Sequence, residues 1–175
     1  MPIDLRKFIR LVPNFPKPGI VFRDITPLLA NPGALDQAVA QLAQPYRQSN
    51  IEVVAAVESR GFIFGAAVAR QLNAGFVPIR KPGKLPAKTA SVSYELEYGT
   101  DTIEIHTDAI TPGQRVLLLD DLLATGGTMA AACKLVQDLG GKIVAIAFLI
   151  ELAFLNGRAK FPGHDILSLL TDDAE

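Results

Sequence analysis

The sequence has little that would commit it to metal, disulfide or membrane chemistry. It contains one cysteine, Cys133, which rules out an intramolecular disulfide, and two histidines, His106 and His164, too few for a tetrahedral zinc site of nitrogen and sulfur ligands. Such usage fits a reducing compartment. Charge of one sign is also missing. Lys and Arg number 17 against 18 Asp and Glu, a formal net charge of -1, so no global positive field draws in nucleic acid or an anionic membrane. An anionic ligand must then be held by local groups. The longest strongly apolar run, Ile143 to Ile150, falls far short of the roughly 20 residues of a membrane helix, and charges run through the N-terminal MPIDLRKFIR. The expectation is an unprocessed cytoplasmic protein with no nucleic-acid or membrane partner.

What is present is enough for one packed domain spanning 1–175. At 175 residues and 49% hydrophobic, the chain can bury a core that needs neither disulfide nor metal. Residues 4 to 11 read as a short first helix, and NFPKPG as an irregular segment. GIVFRDITPLL has weak strand character until Pro27 interrupts it. Asn31 can cap a helix beginning at Pro32 and running to about Arg47, with Leu35, Val39, Leu42 and Tyr46 on one face. Beyond it, apolar runs of strand length alternate with helical segments, which predicts a parallel sheet flanked by helices, an α/β fold. The strands are residues 53–58, 75–81, 115–121 and 142–152, with helices over RGFIFGAAVARQL and TMAAACKLVQDLGG. Residues 82 to 108 read as a flexible basic loop leading into a hairpin that turns at Gly99.

VLLLDDLLATGGT, residues 116 to 128, carries the strongest chemical signal. It links a buried strand to a helix and so opens at the C-terminal end of the sheet, where open α/β folds bind ligands. Ala124, Thr125, Gly126, Gly127 and Thr128 are small, so backbone N–H groups at a helix N-terminus can approach a phosphate monoester closely. Asp120 and Asp121 precede them. Carboxylates repel phosphate but accept hydrogen bonds from hydroxyls about one sugar length away. Together they describe a ribose 5-phosphate site, against the bland reading of a strand ending at solvent followed by a glycine loop. No Walker lysine and no GxGxxG follows a strand, which disfavours nucleotide hydrolysis and dinucleotide redox chemistry.

This segment closely resembles the phosphoribosyl diphosphate (PRPP) motif of the type I phosphoribosyltransferases. FPKPGIVFRDITPLL, ESRGFIFG, IRKPGKLP and SYELEYG follow the adenine phosphoribosyltransferases in order and spacing over nearly the whole chain. The resemblance implies transfer of a phosphoribosyl group from PRPP to adenine, giving AMP and pyrophosphate in purine salvage, with Mg2+ held mainly through PRPP or pyrophosphate and no side chain assigned as a metal ligand. It also implies a cytoplasmic homodimer, a short N-terminal hood over about 1–34 and a lid within 82–108. Carried over position by position, Asp120 and Asp121 match the acidic pair on the ribose hydroxyls, and Ala124 to Thr128 the 5-phosphate loop. Ser59, Arg60 and Gly61 match the pyrophosphate loop, for which a small turn supplies N–H donors and Arg60 a forked cation. The alternative for Arg60 is an ion pair with Glu58. Arg80, Lys81 and Lys84 match basic residues that help bind pyrophosphate across the dimer interface; by composition alone they could be a solvated charge run. Val21, Phe22 and Arg23 match the adenine site, where Phe22 can stack on the base and extended backbone can offer a donor and an acceptor to its Watson–Crick edge.

Catalysis of this kind rests on charge stabilisation and exclusion of water around an oxocarbenium-like sugar carbon. Glu97 matches a loop glutamate near the purine imidazole, placed to exchange a proton with N7, and it is expected to be catalytic alongside Arg60. In 6-oxopurine enzymes the position of Ala124 is an aspartate proposed as the base; a methyl group cannot fill that role. The nearest competing readings are a phosphoribosyltransferase for xanthine or hypoxanthine, disfavoured by the VFRDITPLL hood, and a PRPP-sensing transcriptional regulator, disfavoured by the charge balance. A Ser-His-Asp hydrolase lacks any GxSxG.

Overall fold

The computed structural model describes residues 3–96 and 99–174. The first element is a 3-10 turn, Leu5–Phe8, capped by the Asp4 carboxylate on the Arg6 amide. The helix expected over 4–11 does not form. Pro13 disfavours helical backbone at Val12, and the chain instead extends as β1 (Arg10–Pro13), turns through the proline-rich segment and returns as β2 (Val21–Asp24), antiparallel in the register Arg10↔Asp24 to Pro13↔Val21. Pro27 does not break structure. It falls in the first turn of α1 (Thr26–Ala30), where a missing N–H costs nothing. Asn31 caps α2 (Pro32–Ala43) as its sequence predicts, its side chain accepting from the Ala34 amide at 2.9 Å, and a 3-10 turn continues to Tyr46.

The remaining elements alternate as the apolar runs dictate: β3 (Val53–Val57), α3 (Arg60–Leu72), β4 (Gly75–Ile79), the hairpin β5 (Thr89–Glu95) and β6 (Thr100–His106), β7 (Arg115–Leu123), α4 (Gly127–Asp138) and β8 (Lys142–Leu152). Sequence reasoning stops at four parallel strands. A fifth, β9 (Ile166–Asp172), completes the sheet in the order β4-β3-β7-β8-β9 with every pairing parallel. Strand alternation sorts the core into two layers. Val54, Ala56, Leu117 and Leu119 face α2 and α3, whereas Val53, Ala55, Leu118 and Phe148 face α4 and the hairpin. The hairpin turns at Gly99 (φ +87°) and is stitched to the sheet by reciprocal backbone bonds between Arg80 and Glu104 at 2.9 and 2.7 Å. No helix among the described residues is long and apolar enough to cross a membrane.

Candidate active site

The site is built where β7 leaves the sheet. β7 runs through the acidic pair to Leu123, so Asp120 and Asp121 lie within the strand, their backbones held by β8. Asp121 is buried, and its Oδ2 receives Arg60 Nε at 2.5 Å. Burial pushes the Asp120 carboxyl well above the usual carboxylate range, and the Asp121 carboxylate beside it adds to the shift. The first turn of α3 presses directly on this pair: a Cβ at Gly61 would lie 2.7 Å from Asp120 Oδ1 and 3.2 Å from its Cα. Arg60 and Gly61, distant in sequence from the acidic pair, are thus in contact with it, and Ser59 immediately precedes them. The Glu58–Ser59 peptide that leads into this turn is cis.

Arg60 joins three parts of the site. Its guanidinium binds Asp121 and stands 5.6 Å from the centroid of the Phe22 ring. Burial works against its charge, but Asp121, Asp120 and Asp24 together outweigh burial and raise its pKa. The alternative partner Glu58 is engaged elsewhere. It accepts from the Lys81 amide at 2.6 Å and faces Arg80 Nε at 3.3 Å and Lys84 Nζ at 3.5 Å. Burial alone would raise the Glu58 carboxyl; that amide and the two cations lower it below its ordinary value. The Lys81 ammonium pairs with Asp101. Arg80, Lys81 and Lys84 are therefore an ordered, ion-paired group beside the Ser59 turn, and not a solvated run.

Beyond β7 the small residues form a concavity of about 80 Å³ lined by residues 122–129. Gly126 takes a left-handed conformation (φ +80°) immediately before α4, which only glycine adopts without cost, and turns the chain at the helix N-terminus. The Thr128 hydroxyl donates to Tyr94 Oη at 3.0 Å, and Tyr94 donates to Asp101 at 3.2 Å, so the hairpin is hydrogen-bonded to this loop. Sequence reasoning did not single out Tyr94 or Asp101, nor Gly157, whose backbone packs under Gly126: a Cβ on Gly126 would come within 2.8 Å of Gly157 O. Tyr94 lies inside SYELEYG and was open to discovery there; Gly157 carried no local signal.

On the other side stands the hood. Phe22 packs edge-on against Phe15, centroids 5.1 Å apart, and faces Arg60. Val21 and Arg23 flank it, their side chains lining a cleft of about 660 Å³ with Ile150 and Leu170. Among the described residues β2 pairs only with β1, leaving its second edge without a strand. Glu97 lies outside the described residues. His106 accepts from the Ala87 amide at 3.3 Å within the hairpin, a structural placement.

A parallel sheet with an acidic pair at the end of a central strand, a small-residue anion loop beside it and a basic turn above it defines a class of proteins that hold a phosphorylated sugar at the sheet edge. Residues 26–166 match the model of the phosphoribosyl transferase domain. The chain is 58% identical over 166 residues to an adenine phosphoribosyltransferase of Acidobacterium capsulatum, covering 95% of this chain and 92% of that one. The crystal structure of the adenine phosphoribosyltransferase of Thermoanaerobacter pseudethanolicus superposes with a TM-score of 0.93 at 54% identity, over 96% of this chain and 98% of that one. That of Saccharomyces cerevisiae, in complex with an imino-altritol bisphosphate and adenine, gives 0.89 at 40% identity, over 95% and 96%. The chain belongs to the phosphoribosyltransferase family and, within it, to the adenine phosphoribosyltransferases.

Proposed function

We infer that the protein transfers the 5-phosphoribosyl group of PRPP to N9 of adenine, giving AMP and pyrophosphate, a salvage route to AMP. What carries this reading is the contact of three separate segments: Asp120–Asp121, the Arg60–Gly61 turn packed on them, and Phe22 of the hood across Arg60. The Asp120–Asp121 pair accepts hydrogen bonds from the ribose hydroxyls, residues 124–128 hold the 5-phosphate, and Ser59–Gly61 receive the pyrophosphate, with Arg80, Lys81 and Lys84 reaching it across the dimer interface. The unpaired edge of β2 at Val21–Arg23 reads the base, and Phe22 stacks on it. Adenine presents an amino donor and an N1 acceptor where a 6-oxopurine presents the reverse, and mismatched buried groups cost about 1–3 kcal/mol each.

In the reaction the C1–O bond to pyrophosphate breaks with its electron pair leaving on oxygen, and the N9 lone pair forms the new C1–N bond. The proton shed by the imidazole passes to Glu97, since Ala124 offers no acceptor. Arg60 and the basic group stabilise the departing negative charge, and the 82–108 hairpin excludes water as a lid. Among the described residues no cluster of three acidic, His or Cys side chains could hold a metal. One or two carboxylates plus ligand phosphates are the usual Mg2+ environment, so the ion fits as a companion of PRPP near Asp120 and Asp121, where it would neutralise the leaving group. A single cysteine, with no disulfide to maintain, supports a cytoplasmic location for the enzyme. It acts as a homodimer through the face of α3 and β4, where Ile63 and Phe76 are exposed beside Arg80.

The decisive test is product formation from purified protein with PRPP and Mg2+, offering adenine, hypoxanthine, guanine and xanthine separately and in competition. AMP and pyrophosphate from adenine alone are expected. Turnover of a 6-oxopurine would overturn the base assignment while keeping the PRPP site.

A further inference from the structure

The hood has no apolar core of its own. In β1 and β2 the only buried side chain is that of Arg23, while Leu11, Phe15 and Ile20 are 60%, 51% and 44% exposed. A two-stranded ribbon is marginally stable in water, so this one must be held from outside, and what holds it is polar. Arg23 Nε donates to Asp172 Oδ2 at 3.0 Å, Nη1 to the Val21 carbonyl at 2.5 Å and Nη2 to the Ala174 carbonyl at 3.4 Å. The face of the guanidinium lies 5.9 Å from the Phe154 ring centroid. The second oxygen of Asp172 receives Arg6 Nη1 at 2.8 Å, and Arg6 Nη2 donates to the Thr171 carbonyl at 2.5 Å. One carboxylate at the end of β9 therefore clamps both the turn that precedes β1 and the strand β2.

We propose that Asp172 is a positioning residue for base recognition: it fixes the height and tilt of β2 over the ribose site by holding Arg23. This rests on the reading that Val21–Arg23 bind adenine. Phe22 sits between Arg23 and Val21, whose carbonyl Arg23 holds, and its ring faces Arg60 and thus the acidic pair. The ion pairs of Asp172 go to Arg6 and Arg23, whereas the residues assigned to PRPP stand on β7, the loop into α4, the start of α3 and the segment after β4. A loosened clamp shifts the base edge and leaves the sugar-phosphate site in place.

Steady-state kinetics of Asp172→Asn separate the two. At saturating PRPP the KM for adenine should rise about tenfold, the scale of uncoupling one partner of a largely buried ion pair after partial relaxation. The KM for PRPP should stay within about twofold, with kcat little changed. Asp172→Glu, which keeps the charge, should recover most of the adenine KM. Should Asp172→Asn melt before assay, Arg6→Gln decides. Its guanidinium is largely exposed and its loss leaves the Arg23–Asp172 pair, so the adenine KM should rise about two- to fivefold with the PRPP value unmoved. An unchanged adenine KM in a folded variant, or an equal rise in both constants, overturns the positioning role. Failure of the wild type to use adenine overturns the base reading and this inference with it, so the two failures are distinguishable.

Discussion

Asp120 serves a ligand at a cost to the fold. Its carboxyl is held well above the ordinary carboxylate range by burial, with Asp121 contributing. An acid whose folded pKa is raised lends full support to the fold only below its unfolded pKa. As pH climbs past that point the unfolded chain ionises first, and stability is lost until the folded group ionises too. Asp120→Asn keeps an acceptor for the Asp121 amide, now bonded at 2.8 Å, and removes the charge. The variant should therefore melt higher than the wild type near pH 7, each kcal/mol corresponding to about 2–4 °C for a chain of this size, and the gap should close toward pH 3. It should also bind PRPP more weakly. A pH-independent gap in melting temperature would sink the account. The acidic pair was legible in the sequence because strand, acids, small residues and helix are contiguous. The partner of Arg60 was not, because Asp121 lies 61 positions away and only the fold shows that Glu58 is already taken by Arg80 and Lys84.

At the scale of elements, the phosphate loop takes its shape from the turn after β8. A Cβ at Gly157 would run into the Ala124 carbonyl and stand 2.9 Å from Leu123 Cδ1, the reciprocal of the Gly126 contact. Gly157 does not occupy the left-handed region, so alanine is allowed by its own backbone and its effect is steric. Gly157→Ala should push the loop and raise the KM for PRPP by about tenfold, within the 1–3 kcal/mol typical of overpacking, while disturbing the adenine KM less. Equal KM values for PRPP in variant and wild type would show that the loop keeps its shape without this turn. The same scale explains which elements the sequence revealed. β3, α3, β7, α4 and β8 are buried and carry unbroken apolar runs or helical periodicity. β9 is half-buried along its whole length and ends in acids, and β1 is four residues of mostly exposed chain, so neither has a pattern to read. Both exist because a neighbouring strand supplies hydrogen bonds, which is a property of the assembled sheet.

At the scale of the whole molecule, apolar side chains stay exposed beside one edge of the sheet as well as on the hood. β4 is one of the two edge strands of the sheet, opposite β9, and Pro78 within it suits an edge, where no ladder bond is lost. Beside it Ile63 is 42% and Phe76 36% exposed, and Phe62 packs edge-on against Phe76 with Arg80 above its ring. Apolar side chains grouped this way on a charge-balanced surface are what the proposed homodimer would bury, and a two-fold axis would make the patch its own partner. In that proposed dimer the Arg80–Lys84 segment would lie at the seam, where a second chain could receive it. The protein should sediment at twice the chain mass of 18.7 kDa. Ile63→Glu with Phe76→Glu inserts like charges at the centre of the patch and should yield monomers with reduced turnover, because the basic group no longer meets its neighbour's pyrophosphate site. A wild-type monomer of full activity would exclude the dimer, and a double variant that stays dimeric would move the interface to another face.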